Sequence, residues 1–188
     1  MNPFSLQINS DLCFRAVHTS DADELFQLTE KNRSHLREWL PWLDRTRAVG
    51  DTLQFIDLCR NEAARNESLV CCVLLHGQIA GMISFNRIDN TNRCGSMGYW
   101  LSQDHEGKGI ITRTCKALIE FGFAEYSLNR IEIRCAPGNR KSRAIPIRLG
   151  FKEEGTMRQV EWLYDHFVDH VVYGILRDEW RTIQRQPH

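Results

Sequence analysis

The sequence predicts a mixed α/β domain with helices inserted between the strands of a sheet, and three patterns carry that prediction. Residues 21–66 read as three successive helical segments. Three strand-like apolar segments then follow one another, Leu69–Leu75, residues 79–85 and Cys94–Leu101. Finally, a strand at Gly95-Ser96-Met97-Gly98-Tyr99-Trp100-Leu101 runs through a glycine loop into a helix and on to another strand at 130–136. Helices alternating with strands give a layered α/β chain, and a strand–helix–strand crossover is expected to be right-handed and locally parallel.

Taken in order, residues 4–8 alternate as a strand, with 12–17 as the hairpin partner. Residues 21–30 are expected to form a helix capped by Ser20 or Asp21, since short polar side chains satisfy free N–H groups at helix starts. A second, short helix ends near Trp39-Leu40-Pro41-Trp42, where the proline stops it. Phe55, Ile56, Cys59 and Ala63 mark one face of a third helix over 51–66. His76-Gly77 predicts a tight hairpin turn and Asp89-Asn90-Thr91-Asn92 a looser one. Ile111, Cys115, Leu118, Ile119, Gly122 and Tyr126 fall at helical spacing after the glycine loop. Ile131, Ile133 and Cys135 share one face of the next strand. A helix over 140–149 is closed by Gly150 and contains Pro146, which cannot donate back to the Ser142 carbonyl and should loosen the helix there. Two strands, 151–160 and 167–176, complete the chain.

Composition narrows the function. At 188 residues the chain fits one domain, residues 1–188, with a core large enough to need neither disulfides nor metals. Lysine plus arginine equals aspartate plus glutamate, 24 each, so overall charge gives no reason to expect a nucleic acid or a membrane surface as partner. No apolar run approaches the roughly 20 residues of a membrane span. Met1-Asn2-Pro3-Phe4-Ser5 lacks the basic start and apolar core of a signal peptide, so the cytoplasm is the expected location. Seven scattered cysteines, with no C-x-x-C pair, read as reduced thiols rather than a disulfide framework or zinc site.

The loop Glu106-Gly107-Lys108-Gly109-Ile110 is the chemically informative element. Glycines let the backbone bend and come close to a ligand. The free N–H groups and positive end of the following helix then favour a phosphate. The loop alone is a weak signal, because a tight turn can also contain two glycines. What strengthens it is the order of the segments around it: Gly98-Tyr99-Trp100-Leu101, the loop, Asn139-Arg140-Lys141-Ser142-Arg143-Ala144, Leu149-Gly150-Phe151 and Glu153-Glu154-Gly155-Thr156.

In residue type, order and spacing these segments resemble the GNAT acyltransferases, and within them the RimJ/RimL branch that acetylates protein N-termini. The resemblance runs from about residue 12 to 173. Asp104 departs from the Gln or Arg frequent three residues before the first glycine, a position at which this branch varies.

The resemblance implies a mostly antiparallel twisted sheet with one parallel, splayed strand pair, and acetyl-coenzyme A as acyl donor, with no metal. Backbone from Glu106, Gly107, Lys108, Gly109, Ile110, Ile111 and Thr112 would cradle the pyrophosphate. The pantetheine arm would lie in the splay and pair with backbone near Trp100 and Leu101, where an N–H can polarise the thioester carbonyl. Asn139 and Ser142 stand at a helix start, where either can simply be a cap. The resemblance adds donor binding for both and, for Ser142, a hydroxyl facing the sulfur of the departing thiolate. A thiol with a pKa near 8.5, the value of free cysteine, is a fair leaving group, so that help is modest. Glu161, nineteen residues after the serine, matches a catalytic glutamate of RimL-like enzymes, although a solvated glutamate is the alternative. A carboxylate with a pKa of about 4.3 is a weak base. It would act through a water or with a pKa raised by burial, and it suits an α-amine (about 7.7–8.0) better than a lysine (about 10.4).

The expected activity is therefore transfer of acetyl to an amine by direct attack, with a protein N-terminus, ribosomal by resemblance, as acceptor. The alternatives are a small-molecule amine acetyltransferase acting on a polyamine, amino acid or antibiotic, and a non-catalytic acyl-coenzyme A sensor. The resemblance is compatible with a homodimer without requiring one. His166 and His170, four apart, lack a third ligand at metal spacing. Trp39, Leu40, Pro41 and Trp42 read first as core and second as an acceptor wall. Arg33, Arg37, Arg45 and Arg47 read as a solvated face, or as a lure for an acidic acceptor.

Overall fold

The computed structural model describes residues 4–185; residues 1–3, part of the stretch tested above for a signal peptide, and 186–188 lie outside the described residues. The chain runs β1 (Ser5–Gln7), β2 (Leu12–Ala16), α1 (Ala22–Lys31), α2 (Arg33–Arg37), α3 (Val49–Ala64), β3 (Leu69–Leu75), β4 (Gln78–Asp89) and β5 (Cys94–Leu101). It continues through α4 (Ile110–Ala124), β6 (Arg130–Cys135), α5 (Arg140–Arg148), β7 (Lys152–Leu163), β8 (His166–Leu176) and α6 (Arg177–Arg185). The sheet has eight strands in the order β1-β2-β3-β4-β5-β6-β8-β7. Neighbours are antiparallel except β5 and β6, which the α4 crossover makes parallel.

Side-chain alternation explains why β3 reads as an unbroken apolar run. Cys71 and Val73 join Phe14, Ile83 and the buried face of α4, whereas Cys72 and Leu74 join Leu25 of α1 and Ile56 and Cys59 of α3. A strand covered on both faces has no solvent side on which to place polar residues. The α4 face is the one the spacing predicts, with Ile111, Cys115, Leu118, Ile119 and Gly122 buried. A Cβ at Gly122 would lie 2.6 Å from Cζ of Phe85, a ring with no exposure of its own. Gly122→Ala is therefore expected to destabilise the fold by about 1–2 kcal/mol in urea unfolding, because overpacking outweighs the gain in helix propensity.

The structure corrects four sequence expectations. Neither Ser20 nor Asp21 caps α1 through its side chain. Asp21 instead closes a 3-10 turn (Thr19–Asp21) by accepting from the His18 N–H at 2.8 Å and takes the Arg15 guanidinium. Phe55 is exposed, and Thr52 joins Ile56 and Cys59 on the buried face of α3. Tyr126 lies past the end of α4, where its ring stands edge-on to Phe121 and Phe85. Helix α6 was not foreseen: of its nine residues only Trp180 is buried, too little apolar signal for periodicity to detect. At His76-Gly77 the expected turn forms with φ of +51° and +80°, the left-handed pair of a two-residue hairpin.

Candidate active site

The parallel ladder between β5 and β6 runs from Cys94 opposite Arg130 to Met97 opposite Ile133 and stops there. Past Met97 the two strands part, and the edge of β5 facing β6 carries no strand partner. A cavity of about 740 Å³ opens at this splay. Its lining brings together Trp100, Leu101, Glu106, Gly107, Lys108, Gly109, Ile110, Ile111, Thr112, Asn139 and Ser142, the whole predicted donor set. His35, Trp39 and Leu40 close the side towards α2.

The start of α4 is built to receive an anion. Gly107 and Gly109 take φ of +73° and +69°, a left-handed conformation that side chains resist, and Gly109 is the N-cap residue of α4 with no side-chain cap bond. The first-turn N–H groups are thus left without a side-chain partner at the cavity. Lys108, Arg113, Lys141 and Arg148 line it against one carboxylate, Glu106, a balance that favours a polyanionic ligand such as coenzyme A. Arg148 Nη1 donates to Thr112 Oγ1 at 3.0 Å, which brings the end of α5 to the start of α4. Glu106 is held between His35 Nε2, at 3.0 Å, and the Lys141 ammonium. Asp104 pairs with Lys31 of α1, and that ammonium holds its carboxyl below the usual range. Gly109→Val is expected to weaken acetyl-coenzyme A binding about tenfold by calorimetry, since a β-branched residue with positive φ costs roughly 1–2 kcal/mol.

At α5 the geometry is the opposite. Asn139 Oδ1 accepts from the Ser142 N–H at 3.0 Å, so Asn139 does cap this helix. Ser142 Oγ lies 3.2 Å from Cys135 Sγ and donates to Tyr99 Oη at 3.3 Å. Burial pushes the Cys135 thiol up despite hydrogen bonding with Ser142 and Tyr99, so it is a poor nucleophile near neutrality. All seven cysteines are free thiols, five of them buried.

Glu161 lies apart from the cavity lining, on β7. Opposite β8, Met157 pairs with His170 and Glu161 with Val168, so three residues of β7 oppose Asp169 alone. This bulge, with Gln159 at φ +50° and its N–H donating to Asp169 Oδ1 at 2.7 Å, redirects the strand and sets Glu161 Oε2 3.2 Å from His170 Nε2. The hairpin is anchored towards the cavity. The Tyr164 hydroxyl donates to the Leu40 carbonyl, and the Arg37 guanidinium stacks 3.8 Å above the Tyr164 ring. Arg37 also pairs with Asp44, and Arg33 with Glu30. Arg45 and Arg47 of that face stay exposed, Arg47 donating to the Asp44 carbonyl at 2.8 Å.

Sequence reading missed His170, considered only as a metal ligand, and Tyr99, named only as part of a strand. Among the described residues no group of three His, Cys, Asp or Glu side chains is placed to hold a metal ion.

Comparison with known proteins agrees with this geometry. The family model described as Acetyltransferase (GNAT) domain matches residues 11–152. The putative ribosomal N-acetyltransferase YdaF of Bacillus subtilis (strain 168) is 36% identical over 179 residues, covering 94% of this chain and 97% of its own. RimL, a ribosomal L7/L12 alpha-N-protein acetyltransferase solved with coenzyme A, superposes with a TM-score of 0.90 at 27% identity, covering 94% and 99% of the two chains. The microcin C7 self-immunity acetyltransferase MccE, solved with acetyl-CoA and AMP, superposes with a TM-score of 0.87 at 28% identity, covering 91% and 95%. With its splayed parallel pair and uncapped helix start at one cavity, and with the family model spanning most of its length, the chain belongs to the GNAT family of acetyltransferases.

Proposed function

We propose that this chain transfers acetyl from acetyl-coenzyme A to the N-terminal α-amine of a protein, with a ribosomal protein as acceptor. The observation that carries the reading is the cavity at the splay, with the uncapped, cation-flanked start of α4 at one wall and Ser142 at another. The likeness to YdaF and RimL supports the acceptor class.

In this mechanism the first turn of α4 holds the pyrophosphate, and the free edge of β5 near Trp100 and Leu101 holds the pantetheine arm and polarises the thioester carbonyl. The α-amine enters beside Trp39 and Leu40. Its nitrogen attacks the carbonyl carbon, the C–S bond breaks, and the Ser142 hydroxyl hydrogen-bonds the departing thiolate. The proton lost by nitrogen passes to Glu161, through a water where the carboxylate does not touch the amine. No acyl-enzyme forms, in keeping with the buried, protonated Cys135 thiol. The cytoplasm as the place of action is part of the same proposal; no described helix is long and apolar enough to cross a membrane.

MccE, solved with the small molecule AMP beside acetyl-CoA, supports a second reading, a small-molecule amine as acceptor. A panel of N-terminal peptides and small amines separates the two, with thiol release followed optically and the acetylated atom located by mass spectrometry. Peptide-dependent turnover with acetyl on the α-amine is expected. Turnover confined to small amines sinks the protein-acceptor reading. Tight donor binding without turnover on any member points to a sensor.

A further inference from the structure

Ser142 is held at three of its atoms, and two of those contacts come from Tyr99. Its N–H is taken by Asn139, and its Oγ lies between Tyr99 Oη and Cys135 Sγ. Its backbone carbonyl accepts from the Tyr99 hydroxyl at 2.9 Å. In a regular helix that carbonyl belongs to the N–H four residues on. Residue 146 is proline, which has no N–H and whose ring pushes the carbonyl of residue 142 away from the helix axis. The carbonyl is thereby left without its α-helical donor.

The fold places a donor where that carbonyl points. Tyr99 stands two residues beyond Met97, the last β5 residue paired to β6, so its phenol reaches across the open splay to α5. It also lines the cavity. Burial holds the phenol well above its ordinary pKa, so it remains a neutral donor near neutrality.

We propose that Tyr99 is the positioning residue for Ser142, holding its hydroxyl oxygen at the cavity, from which the O–H turns to the thiolate as it departs, and that Pro146 frees the carbonyl through which Tyr99 does so. With its own O–H committed to the carbonyl, the phenol oxygen can only accept from Ser142 Oγ, which defines the resting orientation of that hydroxyl. This proposal rests on the assignment of Ser142 to the thiolate made above.

The test is a kinetic cycle of wild type, Ser142→Ala, Tyr99→Phe and the double variant, with KM for acetyl-coenzyme A and kcat measured separately. Tyr99→Phe is expected to lower kcat about tenfold with KM within about twofold, and to lower it no further in the Ser142→Ala background. Additive losses, or wild-type kcat in Tyr99→Phe, overturn the proposal while leaving the Ser142 assignment standing. Wild-type kcat in Ser142→Ala removes that assignment and this proposal with it. Pro146→Ala provides an arm that does not depend on the Tyr99 variant folding. It restores a helical donor and lets the carbonyl swing back, so kcat should fall about threefold while the thermal midpoint stays at or above wild type. Unchanged kcat in Pro146→Ala counts against the proposal, since a merely structural proline predicts that result.

Discussion

Glu161→Gln should lower kcat about a hundredfold while leaving acetyl-coenzyme A affinity within about twofold. The substitution keeps shape and a hydrogen bond to His170 but removes the site that accepts a proton, and a positioned general base is worth roughly a hundredfold or more. Donor affinity should be spared because Glu161 does not line the cavity in which the predicted donor residues meet. Steady-state thiol release with a peptide acceptor, paired with donor calorimetry, reads both quantities. The wild-type rate should rise through the α-amine pKa of about 7.7–8.0. The variant should keep that dependence on the substrate at a lower plateau. A variant within threefold of wild type would remove Glu161 from the role of base.

Asp21→Ala is expected to cost about 3 kcal/mol of stability, the largest structural effect predicted for this chain. Asp21 is 4% exposed and takes both arms of the Arg15 guanidinium at 2.7 Å, together with the His18 N–H at 2.8 Å. Removing one partner of such a pair leaves the other as an uncompensated, part-buried charge, which outweighs any relief of desolvation. Burial by itself raises the Asp21 pKa, but the Arg15 and His18 hydrogen bonds and the Arg15 charge together bring it below the ordinary value. A carboxyl depressed in the folded state stabilises the fold above its unfolded pKa of about 3.9. That contribution is lost as pH falls through the folded value. Urea unfolding at neutral pH should therefore show the full difference between wild type and variant, and the gap should narrow on acidification below about pH 4.

Much of the architecture was legible because it is local. Alternation along β1 and the helical period of α4 each report a face without reference to anything distant. His76-Gly77 names its own turn, and the glycine loop announces a backbone that must bend and approach a ligand. Where sequence reading failed, a partner outside the element itself decided the outcome. Asp21 has the chemistry of a cap, and the His18 N–H together with Arg15 of β2 drew its carboxylate away from α1. Phe55 is as apolar as Ile56, yet the rotation of α3 on the sheet turned it to solvent. Helix α6 buries one tryptophan, and with so small an apolar face its existence depends on the surface it docks against.

The candidate site divides in the same way. The sequence by itself determined the fold class and the bent, uncapped start of α4, since backbone conformation and uncapped N–H groups are set by glycine spacing within a few residues, whereas the donor-side residues outside that loop came from the resemblance to the GNAT acyltransferases. It also showed that Pro146 leaves the Ser142 carbonyl without its helical donor. Only the tertiary structure decided which donor takes that carbonyl, because Tyr99 reaches it from a strand 43 residues away and only where β5 and β6 part. The same holds for Glu161. Its distance from Ser142 in sequence could be counted, but its pairing with His170 depends on a bulge in β7 and on a hairpin moored to the segment after α2. Local chemistry says which atoms need partners. Packing of distant segments, driven by burial of apolar surface far from the site, selects the partners they meet.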